Sequence, residues 1–275
     1  MPVIKIFLAL GIFLFLSTSA SAQTLAFQLR GGTQTRSVEE LAKITPVVEV
    51  QTRSPIDDKK RRFKAFALKP LLKAMYGEHW KRDDDIVFTC TDGYQPSLPG
   101  AILQRHDAYL AFASADGQDF SIFDHGKVQD LGPYYLIWDN VRDEAFDDEQ
   151  PQVWPFQVTA LEPVPFKLRY AAMLPPARSS AQVRRGFLVF RNHCMNCHSI
   201  NGLGGSLGPE LNYPVNVTQY YAIPWLKRWI AMPRSIRYNA TMPPLDAEAG
   251  TRDKMLNDLI AYLKAMVGKK VAPPR

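Results

Sequence analysis

The sequence predicts two domains of different class, a strand-rich α+β domain in front and an all-helical domain behind. Three observations predict it. Up to about residue 165, short runs of aromatic and β-branched residues alternate with turn dipeptides such as Asp92-Gly93 and Asp116-Gly117, the pattern of short strands. From residue 182 onward, apolar residues recur at helical spacing. Between the two, Met173-Leu-Pro-Pro-Ala-Arg-Ser-Ser-Ala181 has proline, small residues and no apolar periodicity, which is linker composition.

The chain opens on Lys5 and an apolar run from Ile6 to Leu16, too short to span a bilayer comfortably. Ala20-Ser21-Ala22 then supplies a small-residue cleavage site. The expectation is a signal peptide over residues 1–22, with an uncleaved anchor as the alternative. The mature chain would begin near Gln23 and reside in a periplasm-like compartment with no stable membrane span.

The front domain is expected over residues 23–172. Its strands are predicted at Val47–Val50, Ile86–Thr89, Ala108–Ala113, Phe120–Phe123, Tyr134–Trp138 and Phe156–Ala160. One helix is predicted at Lys69–Tyr76, with Pro70 tolerated in its first turn and Gly77 as its stop. Residues 173–181 form the linker, and residues 182–275 the second domain. Its helices are predicted at Gln182–His193, Ile223–Ala231 and Arg252–Met266, the last marked by Met255, Leu256, Leu259, Ile260 and Leu263.

Composition bounds the function. Apolar residues make up 46% and charged residues 22%, so a packed core is expected and disorder is not. The net charge of +6 hides an asymmetry. Residues 23–170 carry 18 basic and 22 acidic side chains, whereas residues 171–275 carry 14 and 5. A basic half can mark nucleic-acid binding, but an exported chain meets none. An acidic protein partner suits it better, because opposite fields steer encounter.

The chain has 3 cysteines, an odd number for an exported protein. Two of them form Cys194-Met-Asn-Cys197-His198. On a helical turn the two thiols share a face, and His198 follows where its ring can cover the same face. This C-x-x-C-H pattern is that of covalent haem attachment, with each thiol adding to one vinyl group. A redox dithiol would need a βαβ context, and a zinc site would need further Cys or His ligands at suitable spacing.

The surroundings of the motif resemble the class I cytochrome c family over nearly all of residues 181–275. Gly186 and Phe190 match the Gly-x-x-x-Phe/Tyr of that family's first helix, and Tyr262-Leu263 the pair on its last helix. A glycine there would let the last helix approach closely. Gly208-Pro-Glu-Leu211 resembles the family's Gly-Pro-Asp/Asn-Leu loop. The resemblance implies that the Pro209 carbonyl accepts a hydrogen bond from His198, fixing the ring and raising its basicity. Ile230-x-x-Pro233 followed by Thr241-Met242-Pro243-Pro244 resembles the segment carrying the sixth ligand. It implies a single haem c bound to Cys194 and Cys197, with His198 and Met242 as axial ligands. Both iron positions would then be filled, so the chemistry implied is outer-sphere electron transfer to redox proteins.

Residues from about 45 to 165 resemble the molybdopterin-binding domain of sulfite-oxidase-type oxidoreductases. The residues that carry this are Lys64–Lys73, Val87–Tyr94 and Gly132-Pro-Tyr-Tyr-Leu136. In that family a cysteine after a comparable strand binds molybdenum, so the resemblance implies Cys90 as the alternative metal ligand. A pterin clamp needs cationic donors. Residues 83–166 supply only Arg105, Lys127 and Arg142, and Tyr135 stands where the family pattern has arginine. The expectation is therefore a cofactor-free domain that docks or caps an electron carrier. The alternative is a molybdenum-haem dehydrogenase using Cys90.

Overall fold

A computed structural model describes residues 23–81, 84–124, 126–143, 146 and 153–273. The expected signal peptide lies outside these residues. The front domain is built on two sheets. The first has five strands in the order β2-β1-β11-β5-β6, formed by β1 (Thr24–Leu29), β2 (Gly32–Ser37), β5 (Asp84–Cys90), β6 (Ser97–Pro99) and β11 (Val158–Pro165). Its β1–β11 pair is parallel, with Ala26 opposite Ala160. The second sheet is antiparallel in the order β10-β7-β4-β3, from β3 (Val47–Arg53), β4 (Lys60–Ala67), β7 (Ala108–Ser114) and β10 (Tyr135–Trp138). A separate hairpin joins β8 (Ser121–Asp124) to β9 (Lys127–Asp130).

Side-chain alternation divides the buried residues between faces. Phe66, Leu110, Leu136 and Trp138 join Leu25, Phe27, Ile86 and Phe88 in a core shared by the two sheets. Their neighbours Ala65, Ala111, Tyr135 and Ile137 point the other way, into a smaller cluster with Val50, Phe63 and Ile122. Among the described residues, α1 (Val38–Ile44), α2 (Leu68–Tyr76) and α3 (Gly100–Arg105) help to close the domain. Leu68, Leu71 and Leu72 are the buried stripe of α2, at the spacing that puts side chains on one helix face.

The predicted strands all fall within observed ones, apart from end residues of β8, β10 and β11, and α2 starts one residue earlier than predicted. Up to residue 170, the elements not predicted are the β1–β2 hairpin, α1, β4, the 3-10 turn Gly77–Lys81, β6, α3, β9 and a short helix at Phe166–Arg169. β2 reads GTQTRS and is largely exposed, so it carries no apolar alternation. β4 reads KRRFKAFA, where the outward lysines and arginines mask the period-2 signal of Phe63 and Ala65. The start of α1 did carry a readable mark, a capping box in which Ser37 and Glu40 satisfy each other's backbone N–H.

After α4 (Phe166–Arg169) the chain becomes helical. The second domain holds α5 (Ala181–His193), α6 (Val217–Tyr220), α7 (Ile223–Ala231) and α8 (Ala249–Met266). A two-residue hairpin, β12 (Ser199–Ile200) with β13 (Leu203–Gly204), is its one β feature among the described residues. Helices α5 and α8 cross where Gly186 faces Asp258 and Tyr262. A Cβ on Gly186 would lie 1.9 Å from the Asp258 carbonyl oxygen and 2.9 Å from the Tyr262 Cβ, so only glycine allows the approach. Arg185 makes a bidentate pair with buried Asp258, at 2.7 and 3.1 Å, beside the crossing.

The domains share a core. β5 is buried along nearly its whole length, with Ile86 and Phe88 facing the front core. Val87, between them, faces the other way and joins Val164, Phe166, Tyr170 and Met173 in one cluster with Phe187, Phe190, Leu259 and Tyr262 of the helices. Residues 171–174 are tied down as well. The Tyr262 hydroxyl donates to the Met173 carbonyl at 2.7 Å, and Lys269 donates to the carbonyls of Ala171 and Leu174.

Replacing Gly186 with Ala should force α5 and α8 apart, and overpacking of backbone against backbone predicts a loss of about 3 kcal/mol. Thermal unfolding followed in the far ultraviolet checks this. A variant with the wild-type midpoint would show that the crossing is not constrained at Gly186.

Candidate functional site

Helix α5 positions the site. Ser180 caps its start, accepting from the Val183 N–H at 3.3 Å. At its end the helical bonding runs on into the motif, with Cys194 N–H donating to Phe190 O and His198 N–H to Cys194 O, both at 2.9 Å. Cys194, Cys197 and His198 therefore sit on one continuous turn. Cys194 and Cys197 are free thiols. Burial pushes Cys194 up to about 12, with nearby Cys197 adding to the shift. Burial, reinforced by the Asp92 carboxylate, pushes Cys197 up to about 11. Both thiols stay protonated at neutral pH.

The His198 ring is held from two sides. Its Nδ1 lies 2.8 Å from the Pro209 carbonyl oxygen. A carbonyl only accepts, so Nδ1 carries a proton, and Nε2 is the ring nitrogen left to bind a metal. Gly208 lies flat against the ring, and a Cβ there would stand 2.4 Å from Cε1 and 2.8 Å from Nε2. The loop is pinned on both sides of Pro209, by Gly208 N–H to Cys197 O at 2.7 Å and Leu211 N–H to Ser199 O at 3.0 Å.

Met242 is partly buried and borders the same apolar cluster as Cys194, Leu203 and Leu211. Its loop is fastened to both flanking helices. Leu245 N–H donates to Ile230 O at 3.0 Å, and Arg252 donates to the carbonyls of Leu245 and Ala247 at 2.9 and 2.6 Å.

Two groups escaped the sequence reading. The first is Glu210, whose carboxylate accepts from the backbone N–H groups of Asn201, Gly202, Asn212 and Tyr213. Burial works to raise its pKa, but donors from Gly202, Asn212, Ser199 and Asn201 outweigh it and hold the group below the usual carboxylate value. The second is a buried asparagine ladder. Asn216 donates to Asn212 at 2.7 Å, and Asn212 donates to Asn201 at 2.8 Å. Asn201 in turn donates to the carbonyls of Ala172 and Lys269 at 2.9 and 2.8 Å. Single asparagines scattered over 16 positions give no periodic signal.

Cys90 is not part of the C-x-x-C-H turn, although its strand leads to it. It is 4% exposed, belongs to the front core, and its thiol is pushed up by burial and then by Asp92. Among the described residues no group of three His, Cys, Asp or Glu side chains is placed to hold a metal ion. The turn after Cys90 reaches the C-x-x-C-H turn. Gln95 N–H donates to Asn196 O at 2.8 Å, Ser206 N–H to Gly93 O at 2.8 Å, and Asn196 Nδ2 to the Tyr94 hydroxyl at 3.3 Å.

Further along β5, Asp85 is 4% exposed and pairs with Arg191 of α5 at 2.9 Å, while the Arg191 guanidinium lies 3.7 Å from the Phe166 ring centre.

The family model of cytochrome c matches residues 183–266. No curated protein matches the chain. The match begins after the front domain and lends no support to the likeness of residues 45–165 to the sulfite-oxidase-type fold. The helical segment is a cytochrome c domain, the kind that binds haem c covalently and passes electrons to redox protein partners. The residues present fit that group. They supply two free thiols on one turn, an imidazole whose Nε2 is free to ligate, and a thioether at the edge of the same apolar cluster. No helix among the described residues is long and apolar enough to cross a membrane.

Replacing Arg191 with Met should cost about 3 kcal/mol, because buried Asp85 then keeps the Ser97 hydroxyl but loses the Arg191 guanidinium. The loss should loosen the domain junction and raise the rate of proteolysis between residues 170 and 182. Wild-type proteolysis and stability would show the pair to be incidental.

Proposed function

We propose that the chain is an exported, monohaem electron carrier in which the front domain caps the haem-binding motif. The observation that carries the reading is the His198–Pro209 hydrogen bond on the same turn as two free thiols. Cys194 and Cys197 would hold the haem by thioether bonds, and His198 and Met242 would fill the two axial positions. With both filled, the bound haem supplies one-electron transfer through its edge rather than an open site for substrate. The protein holds the ring orientation, the dry surroundings and the second ligand.

The contacts of Gly93, Tyr94 and Gln95 with Asn196 and Ser206 support a cap. Asn196 lies between the two attachment cysteines, so these contacts favour a front domain that would cover the edge beside Cys197. Cys90 as a molybdenum ligand gains no supporting observation, since its thiol is buried in the core. Export to the periplasm is supported by Lys5, the apolar run and Ala20-Ser21-Ala22. The excess of basic residues after position 171 supports partners with an acidic docking face.

Metal analysis of chain matured in a host that makes both cofactors tests the reading. One iron and no molybdenum per chain is expected, unchanged by Cys90→Ala. Stoichiometric molybdenum lost in that variant would replace the carrier by an oxidoreductase. Replacing Met242 with Ala should abolish the weak sulfur-to-iron absorption band and let the ferrous protein bind carbon monoxide. Survival of the band would assign the sixth ligand elsewhere. Electron exchange with an acidic redox protein should slow as salt shortens the Debye length from about 10 Å at 0.1 M to about 3 Å at 1 M. A rate independent of salt would remove the charge argument.

A further inference from the structure

We propose that Glu210 is a positioning residue for the axial histidine: its carboxylate fixes the loop that presents the Pro209 carbonyl to the His198 ring. The proposal rests on the haem reading above. Glu210 follows Pro209 directly. Its Oε1 accepts from Asn201, Asn212 and Tyr213 N–H at 2.8, 2.8 and 3.1 Å, and its Oε2 from Gly202 N–H at 2.8 Å. Two of these donors lie in the turn after the motif, where Asn201 and Gly202 both adopt positive φ. The other two lie in the loop beyond Pro209. One side chain thus ties together the two backbone segments that flank the histidine's partner.

A carboxylate is suited to this task. It offers two acceptor oxygens and no donor, so it can gather several converging N–H groups, three of them sharing Oε1. A charged acceptor also makes each bond stronger than a neutral one would be. Without it, four backbone donors would compete for water in a half-buried loop. The loop would relax, and the 2.8 Å contact between Nδ1 and Pro209 O would loosen.

The effect should reach the iron through the ring. Donating Nδ1–H to a carbonyl makes imidazole a stronger electron donor at Nε2. A stronger donor favours oxidised iron, so weakening the bond should raise the midpoint potential.

The test uses full-length chain with haem attached, carrying Glu210→Ala or Glu210→Gln. Glutamine keeps the shape but turns an amide NH2 against backbone donors. Both variants should show a higher midpoint potential in spectroelectrochemical titration. The His198 Nδ1 proton of the ferrous protein should also exchange with solvent about fivefold faster or more by NMR. Leu110→Ala, a front-core substitution that leaves the carboxylate and its donors in place, should lower thermal stability and leave the potential unchanged. A haem-loaded Gln variant with wild-type potential and exchange would overturn the proposal. So would equal shifts in the Leu110 variant, which would mean general loosening. A Gln variant unable to attach haem would make Glu210 a folding residue and overturn it too. Wild-type chain without iron would instead fail the haem reading itself, before any variant is compared.

Discussion

The close crossing of α5 and α8 at Gly186 is the constraint on which the rest of the structure depends. The absence of a side chain there brings the Asp258 carbonyl to a distance no Cβ tolerates. Tyr262 can then pack its ring against both Phe187 and Phe190, at centroid distances of 5.6 and 5.5 Å. Helix α5 is thereby fixed in position and angle. The C-x-x-C-H turn hangs from its end, so a fixed helix means a fixed set of thiols and a fixed histidine. The same tyrosine sends its hydroxyl to Met173, so one residue joins the helix crossing to the start of the linker.

Around that crossing the site is held by backbone geometry more than by charge. Pro209 contributes a carbonyl, Gly208 an empty face against the ring, and Glu210 a point where four N–H groups meet. Each restrains a different degree of freedom of His198 or of its partner loop. The asparagine ladder then ties this loop to the carbonyl of Lys269 near the C-terminus and to that of Ala172. Fully satisfied buried polar networks of this kind rigidify a site, because breaking one link leaves several groups without partners. A carrier that must change oxidation state with little rearrangement benefits from such rigidity.

The junction between the domains shows how a strand can serve two cores. β5 buries Ile86 and Phe88 on one face and Val87 on the other, as the alternation of side chains requires. Asp85 on the same strand pairs with Arg191, and the turn after Cys90 reaches Asn196. The two domains are thus joined by an apolar cluster, an ion pair and main-chain hydrogen bonds, rather than by a connecting segment alone.

The sequence by itself determined what is local. Cys194, Cys197 and His198 were legible because covalent attachment and ligation demand those residue types at a short fixed spacing. Gly186 with Phe190, and Gly208 with Pro209, were legible only through their resemblance to the class I cytochrome c pattern. Strands such as β5 and β7 were legible from their apolar, β-branched composition, and α2 from its leucine stripe. What required long-range contact was decided only by the tertiary structure. Glu210 was visible as a residue but not as a hub, since its donors are defined by where two loops meet. Cys90 ends a strand in a way that suits either a ligand or a core residue, and that its thiol packs into the front core was visible only in the fold. The placing of the 92–95 turn on the haem-binding motif had no signal at all, because residues about 100 positions apart meet there through shape rather than through any periodic pattern.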